Sequence, residues 1–178
     1  MRALPNNTTP EEAYALFTLN QLTSDNISLL ANAWLLQGLF TDSLNDLCWE
    51  TTPIMSTVGP IFEQAMHELN TNKPDRLGAA KTIIKETLSR IVKLEITPEE
   101  GASFIYWNIH HEIDDEYPDK DYLGDNLGLE QIFCWLREIW DCKDGSRLSY
   151  HTDIPRHEAD KKFKEYLYEE CEKWLNTH

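Results

Sequence analysis

The chain has 178 residues, 41% of them hydrophobic, with six tryptophans and a formal net charge of −15. Its length and apolar content suit one ordinary domain with a substantial core and exclude a disordered acidic tail. The charge excludes direct binding to nucleic acid or an anionic membrane, which would repel it, and favours a cationic partner.

The opening MRALPNNTTPEE lacks an apolar signal core, and no run approaches membrane-spanning length. Thr9-Pro10-Glu11-Glu12 is a helix start: Thr can cap the free N–H groups, Pro suits the first helical position, and Glu12 can reach back as a capping box. Ala13, Tyr14, Phe17 and Leu22 give that helix a modest apolar face. From Thr23 to Gln37 the apolar residues Ile27, Leu30, Ala31, Trp34 and Leu35 recur at helical spacing, and Gly38 ends the run. A third helix is expected from Asp42 to about Glu50, before Pro53. Ile54 to Leu69 carries Val58, Ile61, Phe62, Ala65 and Leu69 on one side, with Gly59-Pro60 expected as a kink or boundary.

Asp75 to Leu94 is the clearest amphipathic pattern: Leu77, Ala80, Ile84, Leu88 and Ile91 inside, with Arg76, Lys81, Lys85, Arg90 and Lys93 outside. Thr97-Pro98-Glu99-Glu100 repeats the first start and leads through Ala102, Ile105, Ile109 and Ile113 to about Asp114. Residues 115–126, with Pro118 and Gly124, form an acidic connection between helices. Leu129, Ile132, Phe133, Leu136 and Trp140 mark the next helix, closed by Asp144-Gly145, and Phe163, Leu167, Cys171 and Trp174 line the last. No window alternates with period two, so at most Arg147–Tyr150 could be extended. The expectation is an all-α single compact domain of seven or eight helices over 1–178, either a bundle or a short stack of helical hairpins.

Four cysteines (Cys48, Cys134, Cys142, Cys171) show no CxxC spacing, and each sits in an apolar helical context. Reduced, buried thiols are expected, and with the missing signal core they point to the cytoplasm.

Charge is distributed unevenly. Between Ala3 and Asn72 there is no Lys or Arg, against eight carboxylates: Glu11, Glu12, Asp25, Asp42, Asp46, Glu50, Glu63 and Glu68. Ile96 to Glu130 holds ten carboxylates against Lys120 alone, a net −9. Seven of them (Glu112, Asp114, Asp115, Glu116, Asp119, Asp121, Asp125) flank Tyr117 and Tyr122. Such crowding is unfavourable unless something positive binds. Carboxylates can steer a basic partner and tyrosines can anchor it, so these nine residues are the expected partner-binding set.

Catalytic patterns are sparse. His110 and Asp114, like His111 and Asp115, stand at i,i+4 and could share a cation, but two ligands do not make a site, and the residues also read as an ordinary charged surface. There is no GxSxG, HExxH or Gly-rich phosphate loop. Glu63 and His67 read as a surface pair. Glu112-x-x-Asp115 is similar to half of the metal motif of the MazG-like, all-helical nucleoside triphosphate pyrophosphohydrolases, in which an ExxE on the preceding helix completes a Mg²⁺ site. Here that helix carries Lys81, Lys85 and Glu86; Glu95 is followed at the right offset by Pro98, and Glu169-x-x-Glu172 comes far downstream.

In size, acidity and helical pattern the chain resembles immunity proteins of bacterial toxin systems, such as contact-dependent inhibition. The resemblance covers overall character, with no string of matched residues. It implies a cognate toxin domain, often a basic nuclease, covered by an acidic surface. The resulting expectation is a non-enzymatic protein, with no cofactor and no catalytic residues, that neutralises a basic protein. A Mg²⁺-dependent pyrophosphohydrolase and an acidic mimic of DNA are the alternatives.

Overall fold

The computed structural model describes residues 7–178; residues 1–6, half of the stretch read above for a signal, lie outside them. Helix is the only regular structure among the described residues, in eight continuous helices besides one short 3₁₀ turn, with no strand among them, 147–150 included. No helix among them is long and apolar enough to cross a membrane. The chain divides into two compact units, one ending at Ala79 and the other running from Ala80 to His178.

The first unit holds α1 (Pro10–Thr18), α2 (Ser24–Leu36), α3 (Asp42–Trp49), α4 (Met55–Glu68) and the first turn of α5 (Arg76–Val92). Threonine starts three of these helices. The hydroxyls of Thr9, Thr23 and Thr41 accept from the N–H groups of Glu12, Asn26 and Leu44 at 3.2, 3.3 and 3.1 Å. Each satisfies a donor that the helix cannot, worth about 1 kcal/mol. Helices α2, α3 and α4 pack consecutively over a core of Ile27, Leu30, Trp34, Leu44, Leu47, Val58 and Phe62. Phe62 meets Phe17 at 5.0 Å and the edge of Tyr14 at 6.0 Å, and Trp34 donates from Nε1 to the Thr8 carbonyl at 2.9 Å. Gly59-Pro60 does not break α4. Pro60 stands exposed one turn in, where the missing N–H costs a single helical bond.

The second unit contains the rest of α5, then a continuous stretch of α6 (Pro98–Phe104), a π-helical segment (Ile105–His110) and α7 (His111–Ile113). It continues through a 3₁₀ turn (Asp125–Leu127) to α8 (Glu130–Asp144) and α9 (Arg156–Thr177). Thr97 forms the complete capping box expected of its sequence, with Glu100 accepting from the Thr97 N–H at 3.1 Å. Helix α5 buries more than a narrow stripe: Ala79, Ile83, Thr87 and Arg90 join Ala80, Ile84, Leu88 and Ile91 inside. Arg90 was expected outside; the width of the buried face draws it in. Helices α8 and α9 form a hairpin. Arg156 clamps its turn by donating to the carbonyls of Asp141, Gly145 and Ser146 at 2.7, 3.0 and 2.7 Å. The Phe163, Leu167, Cys171 and Trp174 stripe is buried as its spacing requires. Of the four free cysteines only Cys171 is buried; Cys48, Cys134 and Cys142, expected buried, are half-buried.

Candidate functional site: an anchored acidic loop

The helical stretch through α7 stops at Ile113, whose carbonyl accepts from the N–H groups of Glu116 and Tyr117 at 3.0 and 2.8 Å. Pro118 then blocks further winding. The loop beyond is tied down at several points. Asp125 accepts from the backbone N–H groups of Lys120, Asp121 and Tyr122 at 2.8, 2.8 and 3.2 Å. Those donors, the Asp121 N–H foremost and then Lys120, hold its carboxyl below the usual carboxylate range. Asn126 donates from its side-chain amide to the Tyr117 carbonyl. Gly124, at φ +82°, lays the backbone against the Phe133 ring, where a Cβ would come within 2.5 Å of Cδ2.

The centre is held by His110. The π-helical winding of residues 105–110 ends on this side chain, which is 1% exposed. Its ring stacks parallel to Tyr106 at 6.3 Å and meets Phe133 edge-on at 5.4 Å. Nε2 faces Asp119, 3.1 Å from Oδ2 and 3.3 Å from Oδ1, while Nδ1 is buried without a hydrogen-bond partner. His110, Asp114 and Asp119 place ligand-type atoms within 4.8 Å of one another. Three such groups could hold a divalent cation, which would have to displace the hydrogen bond between His110 and Asp119.

The nine expected site residues fall into two groups. Asp115, Glu116, Asp121 and Tyr122 are exposed, Tyr122 to 72%. Glu112, Asp114, Tyr117, Asp119 and Asp125 are half-buried, and of these Asp119 and Asp125 are engaged in shaping the loop. No lysine or arginine among the described residues lies within ion-pairing distance of Asp114, Asp115, Asp119 or Asp121. Tyr122 and Leu123 also rim a groove of about 450 Å³ completed by Glu130, Phe133, Cys134 and Arg137.

The other sequence candidates do not assemble. His111 stacks on Trp107 at 5.4 Å, and no bond joins it to Asp115. Glu112 stands in α7 and Asp115 in the turn beyond it. Glu63 pairs with Lys73 at 2.5 Å in place of the expected His67, because the chain after α4 folds Lys73 back beside it. Sequence reasoning missed His110–Asp119, Asn126 and the Gly124–Phe133 approach; the run Gly124-Asp125-Asn126, three turn-forming residues together, was the available signal. Comparison with family models, curated proteins and solved structures finds no match to this chain.

Proposed function

We propose that this chain is a non-enzymatic binding protein whose 112–125 loop neutralises a basic protein, in the manner of an immunity protein covering a bacterial toxin domain, in the cytoplasm. The observation that carries the reading is the set of Asp114, Asp115 and Asp121 without a cationic side chain at ion-pairing distance among the described residues, beside the exposed Tyr122. Three uncompensated carboxylates cost self-repulsion, which a basic surface would convert into attraction. Because Asp125 and His110 fix the backbone in advance, little ordering entropy opposes docking.

The test begins with affinity capture from the native cell, elution by salt and mass spectrometry. Association of the captured basic protein is then followed by stopped flow against wild type and the triple variant Asp115→Asn, Glu116→Gln, Asp121→Asn. The on-rate at low salt should fall about tenfold or more in the variant, and its salt dependence should flatten. An unaltered on-rate and salt dependence would remove the acidic-loop mechanism.

A further inference from the structure

Helix α2 buries Ile27, Leu30, Ala31 and Trp34 on one side, yet its opposite side is not uniformly polar. Asp25, Leu29, Asn32 and Leu36 are all exposed and follow one another at i, i+4, i+7 and i+11, a single stripe along the helix. Leu29 is 65% and Leu36 83% exposed. Phe40, in the connection to α3, is 69% exposed, and Trp49, at the end of α3, is 77% exposed.

Helices α2 and α3 meet beside this stripe: Asn32, which stands between Leu29 and Leu36, has its Oδ1 3.8 Å from the Sγ of Cys48, the residue before Trp49. Trp49 donates from Nε1 to Asn45 Oδ1 of its own helix at 3.3 Å. Single exposed leucines are ordinary; four large apolar side chains on one hairpin, with water covering them, are not.

Charge identifies what would cover them. Asp25 stands one turn before Leu29, and Asp46 one turn before Trp49, with Asp42 a further turn back. None of the three has a cation at ion-pairing distance among the described residues, and no Lys or Arg occurs between Ala3 and Asn72. The helix dipole accounts for Asp25 and Asp42 in their first turns, but not for the missing cations. A second copy of the chain would bring Asp25, Asp42 and Asp46 against their own kind, on a molecule already at −15. We infer that the outer face of the α2–α3 hairpin is a docking surface for a basic amphipathic segment of a partner protein, its apolar residues on Leu29, Leu36, Phe40 and Trp49 and its lysines or arginines over Asp25, Asp42 and Asp46. This surface is distinct from the 112–125 loop and does not rest on the function proposed for it.

The probes are two synthetic helical peptides with the same leucine stripe, one bearing lysine and the other glutamate on the polar face, titrated into the full chain by calorimetry. Indole emission is compared between wild type and Trp49→Phe. The lysine peptide should bind at least tenfold more tightly than the glutamate peptide and shift the Trp49 emission to the blue. Leu36→Ser with Trp49→Ser, exposed positions whose replacement leaves folding intact, should weaken binding at least tenfold. The triple variant of the 112–125 loop should bind the lysine peptide to the same blue-shifted Trp49, which separates this surface from the loop. Equal affinity for the two peptides, an unmoved Trp49 emission, or binding lost only in the loop variant would overturn the assignment. So would a dimer in sedimentation that Leu36→Ser dissolves, which would make the occupant a second copy.

Discussion

His110 Nε2 stands 3.1 Å from Asp119 Oδ2, so one buried imidazole holds the middle of a loop that is otherwise mutually repulsive. The ring contributes in two ways: it fills space between Tyr106 and Phe133, and it supplies Asp119 with a donor. His110→Ala removes both and should cost about 2–4 kcal/mol in urea denaturation. Asp119→Asn keeps the packing and an acceptor oxygen and should cost about 1 kcal/mol. Equal losses would mean that the carboxylate, not the packed ring, is the anchor.

Asp125 makes the loop sensitive to acid. Its carboxyl is held below its ordinary range in the fold, so its contribution is full above that range and is lost as pH falls through the depressed value. Amide exchange at Lys120, Asp121 and Tyr122 should therefore accelerate relative to the rest of the chain on acidification. In Asp125→Asn the same amides should be fast at neutral pH and show little further response to acid.

Gly124 is required twice, by its φ of +82° and by the Phe133 ring 2.5 Å from where a Cβ would sit. Gly124→Ala should cost about 2–4 kcal/mol, a left-handed backbone penalty plus overpacking. Thermal denaturation measures it. Gly145→Ala is the control: the backbone is also left-handed (φ +86°) but nothing lies within 4 Å, so only the backbone penalty of about 1–2 kcal/mol remains.

Burial pushes the Cys171 thiol up to about 12. In the native protein at mild alkaline pH, iodoacetamide should label Cys134 and Cys142 slowly, since burial first and then Glu138 and Asp160 respectively push those thiols up, and should leave Cys171 unmodified. Unfolding in urea should make all four react, as read by peptide mass spectrometry.

Helix positions were legible where a local rule applied. Thr9 and Thr97 cap from their own sequence context, and the Phe163–Trp174 stripe declares its buried face by spacing alone. Arg90 was misread because a period of 3.6 locates the centre of a buried face, not its width. The acidic loop was visible as composition, but its anchoring was not. Asp119 reaches His110 across nine residues, and which carboxylate closes that loop depends on tertiary geometry that no short-range pattern encodes. The same holds for Lys73 and Glu63, ten residues apart.

The wide winding at Ile105–His110 has a consequence for how this stretch tolerates changes in length. A π segment is equivalent to one residue inserted into an ordinary helix without ending it. Losing a residue there would let the rod relax to 3.6 residues per turn, with Ala102 and Ile113 still facing inward. The same loss within Pro98–Phe104 would swing everything downstream by about 100° and turn Ile113 toward water. Length variation among natural variants of this helix should therefore concentrate on the six residues that end at His110.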